Sequence, residues 1–103
     1  MLFIGIDLGT SAVKLTVWDA ETHSSLITVQ YPSEEAPILS AQPGWAEQSP
    51  LDWWDYIRHA MLQANTSGAY AVKDIKGIGI AYQMHGLVLV DENGASIGNS
   101  IIW

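Results

Sequence analysis

The residues near the amino terminus that could do chemistry are Asp7, Gly9, Thr10 and Ser11, which end a run of apolar residues. A glycine permits a tight turn in which backbone N–H groups point outward with no Cβ in the way. Two hydroxyl side chains follow directly, and such a turn can bind a phosphate group as an anion nest. The sequence therefore predicts a phosphate-binding turn at positions 9–11.

A carboxylate and an ammonium group flank this predicted turn. Asp7 stands at the carboxyl end of the apolar run, where a Mg²⁺ ion bridging phosphates would need a carboxylate, reached through a water molecule. Lys14 follows the turn and could reach the same anion. For so short a motif the alternative is an ordinary hairpin, in which the Asp and Thr side chains only hydrogen-bond to the turn.

A second group of candidate binding residues follows a glycine-rich apolar segment at 77–81. It consists of Gln83, Met84 and His85, with Gly86 behind them. Open α/β sheets bind ligands at the carboxyl ends of parallel strands. An amide together with a neutral imidazole can hydrogen-bond several hydroxyl groups at once. A histidine after an apolar strand can also be purely structural, but its neighbours here favour contact with a substrate.

The elements that must position these groups are predicted from hydrophobic periodicity. Residues 2–8 form a nearly continuous apolar run, which predicts a strand buried on both faces. Apolar and polar residues alternate at 13–17 and again at 27–31, which predicts two further strands. Because the connections are short, the three strands should form an antiparallel meander.

A helix is predicted after an irregular segment at 33–48. Ser49 and Pro50 are residue types preferred at the N-cap and at the first helical position, and Asp52 follows three residues after the cap. The helix should end at 65–68. Apolar residues at helical spacing are predicted to pack inward as one stripe: Leu51, Trp54, Ile57, Met61 and Leu62.

The remainder of the chain is predicted to return to the sheet. Residues 77–81 should form a strand parallel to an earlier one, because the chain crosses over through a helix. Residues 87–90 predict a short further strand, and 91–94 predict a turn. The last residues, 100–103, are almost entirely apolar, so we expect residues 1–103 to be one partial domain.

Charge and composition exclude several classes of protein. Four Lys and Arg stand against eleven Asp and Glu, a net charge of −7, so nonspecific binding to nucleic acid or to anionic membranes is not expected. There is no Cys, hence no disulfide and no thiolate metal site. No apolar segment approaches the ~18 residues of a membrane span. These features predict a cytoplasmic protein, and the high apolar content predicts self-association.

The start of the chain resembles the phosphate-binding hairpin of the actin-like ATPase superfamily. The resemblance rests on Gly-Ile-Asp-Leu-Gly-Thr-Ser at 5–11, followed by Lys14. It implies an α/β fold, the amino-terminal half-domain of a ribonuclease H-like (actin-like ATPase) structure. Such a half-domain has a mixed sheet with a three-strand antiparallel meander, one long helix and a parallel strand.

Two further segments resemble the FGGY family of carbohydrate kinases within that superfamily. Gly-Trp-Ala-Glu-Gln-Ser-Pro at 44–50, followed by Trp53 and Trp54, is similar to a stretch of that family, and we interpret these two tryptophans as packing residues. The earlier Trp45 either faces a sugar cleft or packs within its loop. Residues 83–86 are similar to the sugar-contacting strand tip of the family's xylulokinase branch.

The resemblance implies phosphoryl transfer from ATP, with Mg²⁺, to the 5-hydroxyl group of D-xylulose. Asp7 would be the catalytic and Mg²⁺-organising carboxylate. Four residues would hold the phosphates of ATP: Gly9, Thr10, Ser11 and Lys14. Three would bind the sugar: Gln83, Met84 and His85. One departure from the family pattern is Tyr82, where a glycine or serine is expected.

The resemblance also implies what this chain does not carry. The general base, the adenine pocket and the FGGY signature would lie beyond residue 103, so the missing carboxy-terminal domain is the natural partner and the chain alone should be inactive. Two alternatives remain open. The protein could be a related kinase for another sugar or polyol, such as gluconate, ribulose or fuculose, or it could be a non-catalytic module.

Overall fold

The computed structural model describes residues 1–83 and 86–102. It contains six strands, one α-helix and a 3₁₀ turn at Val72–Asp74. The strands are β1 (Leu2–Leu8), β2 (Val13–Asp19), β3 (Ser24–Tyr31), β4 (Glu47–Gln48), β5 (Ile75–Tyr82) and β6 (Ser100–Ile101), and the helix is α1 (Pro50–Thr66).

Four strands form the main sheet, in the order β3-β2-β1-β5. The first three pair antiparallel, as the predicted meander requires, because each follows its neighbour through a short connection. β5 lies parallel to β1, as the crossover through α1 predicts. The predicted fold class, a mixed sheet with one long helix and one parallel strand, is confirmed.

The predicted start of α1 is confirmed, but its capping differs from the expectation. Ser49 occupies the N-cap with an extended backbone and Pro50 follows it, yet the Ser49 side chain makes no capping hydrogen bond. Its backbone carbonyl accepts from the N–H of Asp52 at 3.1 Å instead. Gly68, with φ of +79°, follows the end of the helix. Within the described part of the chain, no helix is long and apolar enough to cross a membrane.

The hydrophobic core lies between α1 and one face of the sheet. Side chains that alternate along β1 and β2 point into it together with two small residues of the helix: Leu2, Ile4, Ile6, Val13, Leu15, Val17, Ala60 and Ala64. The other face of β1 carries Phe3, Gly5 and Asp7, which are exposed. The prediction that β1 is buried on both faces is therefore wrong for the structure described here, since nothing in it covers the second face.

The predicted inward stripe of α1 is wrong at three of its five positions. Leu51, Trp54 and Leu62 are exposed. Ala60 and Ala64 are fully buried instead, because small side chains let the helix lie close to the sheet. The large apolar residues are displaced to the side of the helix, and two of them, Trp54 and Leu62, face toward β5.

An open apolar groove separates α1 from β5. The helix packs on β2 and β3, so the outer strand β5 is left uncovered, and Ile78 and Ile80 are exposed along it. The groove has a volume of about 610 Å³ and is lined mainly by apolar side chains of α1 and β5.

A smaller two-stranded sheet joins the end of the chain to the loop before α1. β4 and β6 pair antiparallel through Glu47–Ile101 and Gln48–Ser100. The strand predicted at 87–90 is absent: Leu87 and Val90 form only single bridges, to Ile101 and Ser96. The predicted turn at 91–94 is confirmed by a hydrogen bond from Gly94 N–H to the Asp91 carbonyl at 3.0 Å.

Candidate functional site

Asp7 and Lys14 face each other across β1 and β2 on the uncovered side of the sheet. They are directly paired in the antiparallel register, and both side chains are exposed. Together with Thr16 they line an open depression of about 570 Å³. Its floor includes Gly5 and Gly79, where a Cβ would meet nothing within 4 Å. The structure thus places a carboxylate and an ammonium group side by side on a flat, accessible surface.

The turn between β1 and β2 is tight and favours a glycine at position 9. The N–H of Gly9 donates to the Ala12 carbonyl at 3.1 Å and closes the turn. A Cβ at Gly9 would lie 3.2 Å from that same carbonyl oxygen, which is closer than backbone atoms tolerate without shifting. Because the Gly9 N–H is used inside the turn, the backbone donors for an anion are those of Thr10 and Ser11.

The long loop before α1 packs against this turn. The N–H of Ala36 donates to the Ser11 carbonyl at 2.7 Å. The Ser11 hydroxyl donates to the carboxylate of Glu35 at 3.2 Å. A phosphate that took the Ser11 hydroxyl would have to displace this exposed carboxylate, because two negative groups at one donor repel each other.

The structure brings Gln83 to the same turn, although it is 74 residues away from Gly9 in sequence. Gln83 follows the end of β5, and its Nε2 donates to the Gly9 carbonyl at 3.4 Å. The parallel pairing of β1 with β5 explains this proximity, since both strands end at the same edge of the sheet. Met84 and His85, which were predicted to act with Gln83, lie outside the described residues.

Gln48 also lies at this site, although its place in a segment without periodicity predicted no role for it. Its Nε2 donates to the Thr10 carbonyl at 2.6 Å and to the Pro37 carbonyl at 3.4 Å. Its Oε1 accepts from Trp53 Nε1 at 3.0 Å and from Gln83 Nε2 at 3.3 Å. The only signal in the sequence was that Gln48 lies within the 44–50 segment of the family resemblance.

The three tryptophans of the resemblance have different surroundings. Trp53 is partly buried, and its ring approaches Gly86, where an added Cβ would lie 3.9 Å from it; its packing role is confirmed. Trp54 is 59% exposed on the groove, so the prediction that it packs in the core is wrong. Trp45 is half exposed and lies beside Ile101 in a small depression of the second sheet.

The residues of this site fit a magnesium ion that is bound through its water ligands and not directly by the protein. No group of three His, Cys, Asp or Glu residues in the described ranges 1–83 and 86–102 could hold a metal by itself. Mg²⁺ keeps several waters and binds through one or two carboxylates together with phosphate oxygens. The exposed carboxylate of Asp7 at the end of β1 meets that requirement.

Comparison with known proteins gives a consistent set of matches. Residues 2–103 match the FGGY family of carbohydrate kinases, N-terminal domain. The xylulose kinases of Bacillus subtilis (strain 168) and Staphylococcus epidermidis (strain ATCC 35984) are 37% and 35% identical, each over 100 residues and 97% of this chain. The crystal structure of a xyloylose kinase from Brucella ovis superposes with a TM-score of 0.88 at 31% identity over 98% of this chain.

The matches cover only part of each relative. This chain spans 19% of the length of the two xylulose kinases and 20% of the Brucella ovis chain. The similarity therefore concerns about a fifth of each of those proteins and extends over almost all of this one.

Proposed function

Because the chain belongs to the FGGY family of carbohydrate kinases, we propose that it supplies the phosphate-binding turn and the sugar-binding strand tip of an ATP-dependent xylulose kinase. In a protein of the relatives' length, residues 1–103 would form part of the amino-terminal domain. The reaction would transfer the terminal phosphoryl group of ATP to the 5-hydroxyl group of D-xylulose and give D-xylulose 5-phosphate. The observation that carries the proposal is the hydrogen bond from Gln83 to the turn at 9–11.

The backbone of the turn would bind the phosphate groups. The N–H groups of Thr10 and Ser11 would donate to phosphate oxygens, and Gly9 permits the close approach of the chain that makes this possible. The Lys14 ammonium group lines the same depression as Asp7. It would neutralise part of the phosphate charge. Such positioning and charge neutralisation account for most of the rate enhancement in phosphoryl transfer.

Asp7 would organise Mg²⁺ through water at the end of β1. A magnesium ion bound there with ATP supplies charge neutralisation on the phosphate oxygens that carry negative charge in the transition state. The Asp7 side chain would accept hydrogen bonds from water ligands of the metal, and its carboxylate is accessible because Asp7 is exposed.

Gln83, Met84 and His85 would bind the sugar at the tip of β5. An amide and an imidazole can recognise several hydroxyl groups together, and Met84 would provide an apolar contact. The geometric support is the position of Gln83, whose amide contacts the turn that would hold the phosphates. A sugar held by this tip would therefore lie beside the phosphate being transferred.

A chimera tests this function directly. In it, residues 1–103 of this protein replace the segment that they match in the Bacillus subtilis xylulose kinase. We expect this chimera to release ADP in the presence of Mg·ATP and D-xylulose, with a kcat/KM for D-xylulose at least about tenfold above that for gluconate, ribulose, fuculose or glycerol. The 103-residue chain alone should show no turnover, because the base that deprotonates the sugar hydroxyl is proposed to come from the other part of the relatives' length.

Two results would contradict the proposal. A folded chimera that prefers another sugar or polyol would support the proposed kinase activity but contradict D-xylulose as the substrate. A folded chimera without any sugar-dependent ADP release would support the non-catalytic alternative, provided that the unmodified Bacillus subtilis enzyme is active in the same assay.

A further inference from the structure

Gln48 is a buried polar side chain that contacts four other segments of the chain. It is 4% exposed, and its partners lie in the β1–β2 turn, on the loop at Pro37, on α1 and at the tip after β5. A glutamine amide has two N–H donors and an oxygen with two acceptor positions. All four are used here, so the amide is held in one orientation. A buried amide with a single orientation can in turn orient the groups that it contacts.

The bond to the Thr10 carbonyl determines where the next N–H points. In a planar trans peptide the C=O and N–H groups point in opposite directions, and the peptides of this turn are not among the cis bonds of the structure. The Thr10 carbonyl is turned inward toward Gln48, so the N–H of Ser11, on the same peptide plane, is turned outward.

The neighbouring peptide is oriented in the same way by Gln83. Its Nε2 donates to the Gly9 carbonyl, so the N–H of Thr10 is also turned away from the interior. Two consecutive N–H groups that point to the same outer side form the concave anion site known as a nest. Gln83 in turn donates to Gln48, and this bond joins the two orienting amides.

We infer that Gln48 is the positioning residue of the phosphate-binding turn, and that it ties this turn to the strand tip at Gln83. Its consequence for catalysis rests on the proposed function, but the orientation of the two N–H groups does not. A glutamate at this position would have the same shape but would lose both donors. It would also place a negative charge directly behind the turn, where it would repel both the Thr10 carbonyl and a bound phosphate.

The first experiment measures the orientation of the turn without any catalysis. In the ¹⁵N-labelled chain, the side-chain amide protons of Gln48 should exchange with solvent at least about tenfold more slowly than those of Gln63, which is exposed on α1. The Gln48→Met substitution should move the backbone amide resonances of Thr10 and Ser11, whereas Gln63→Met should leave them in place.

The second experiment uses the chimera with the Bacillus subtilis enzyme. Loss of one amide hydrogen bond to the turn should raise the KM for ATP about fivefold in Gln48→Met, and by more in Gln48→Glu. The KM for D-xylulose should change less, since only one of the four bonds goes to the sugar tip. Gln63→Met, the matched control on the exposed side of α1, should leave the KM for ATP within about twofold. A purely structural role would lower the melting temperature without separating the two KM values.

The outcomes separate this inference from the proposed function. An active chimera whose folded Gln48 variants keep the KM for ATP of the unmutated protein would overturn the inference alone. An inactive unmutated chimera, together with protected Gln48 protons and shifted Ser11 resonances, would contradict the proposed function and support the geometry. If neither variant folds, the exchange rate in the unmutated chain decides: fast exchange of the Gln48 side-chain amide overturns the inference.

Discussion

One face of the main sheet is packed very differently on the two edges of β1, which is an inner strand of that sheet. Toward β2 and β3, the sheet is covered by α1, and Ile4 is 3% exposed. Toward β5, no described residue covers the same face of the sheet, and Ile78, the direct neighbour of Ile4 in the parallel register, is 56% exposed. Two identical side chains on adjacent strands thus have opposite environments.

This difference separates the strands that form the packed core from the strand that is held mainly by hydrogen bonds. The covered strands hold the core, and the turn at Gly9 begins directly from them. The uncovered strand carries the tip at Gln83, which is fixed by hydrogen bonds through Gln48 rather than by a packed core. The predicted self-association of the chain would bury the apolar edge of β5, and it stays a prediction.

The largest expected effect distinguishes the two isoleucines. Ile4→Ala should lower the free energy of unfolding by about 2–5 kcal/mol, because it leaves a cavity between the sheet and α1. Ile78→Ala, the matched control, should lower it by less than about 1 kcal/mol, because its side chain is already in contact with solvent. Urea unfolding followed by tryptophan fluorescence measures both.

Equal losses at the two positions would contradict the comparison. They would mean that the side chain of Ile78 is buried in solution, for example by a second copy of the chain. Repeating the unfolding at several protein concentrations would show this, since stability that depends on association rises with concentration. If Ile4→Ala abolishes cooperative unfolding altogether, the result lies at the upper end of the expected range.

A smaller change in the free energy of unfolding is expected at high pH. It concerns residues on the part of the sheet that α1 covers. Burial raises the pKa of Tyr56 above its usual value of 10.0, and the nearby carboxylate of Asp52 raises it further. The folded state therefore holds this proton more tightly than the unfolded state does. The corresponding stability is present below pH 10 and is lost as the pH rises through the folded-state pKa.

Tyr56→Phe tests this dependence. Between pH 9 and pH 11, the unmutated chain should lose stability more steeply than the variant, by an amount that urea unfolding at fixed temperature resolves. Burial also raises the pKa of Tyr70, so Tyr70→Phe should change the slope in the same direction. Identical slopes for the unmutated chain and both variants would show that these tyrosines are more exposed in solution than in the structure.

Much of the fold was predictable from local patterns. Alternation along 13–17 and 27–31, and the Ser49-Pro50 helix start, depend on near neighbours in sequence, and all three were confirmed. The inward face of α1 was not predictable, because the helix carries apolar side chains around most of its own circumference. Only the position of the helix over β2 and β3 selects Ala60 and Ala64 as the buried pair.

The site was predictable only in part, for a related reason. The turn at 9–11 and the tip at Gln83 have distinctive residue types, and the structure brings these two segments together. Gln48 lies next to an irregular segment with no periodicity, and its hydrogen-bond partners are up to 38 residues away from it in sequence. A long-range hydrogen bond leaves no local pattern, so the residue that connects the site could be found only in three dimensions.

The central claim is that phosphoryl transfer takes place at the β1–β2 turn, and the activity of two charge-matched variants tests it most directly. Asp7→Asn and Asp19→Asn each remove one exposed or partly exposed carboxylate, at opposite ends of the β1–β2 hairpin. Both are introduced into the chimera with the Bacillus subtilis enzyme, and kcat is measured with saturating Mg·ATP and D-xylulose.

Asp7→Asn should lower kcat by about 100-fold or more, as expected when a group that organises charge in the transition state is removed. Asp19→Asn should leave kcat within about twofold, since its carboxylate is far from the turn and hydrogen-bonds only within its own loop. An Asp7→Asn chimera that retains the kcat of the Asp19→Asn chimera would contradict the account.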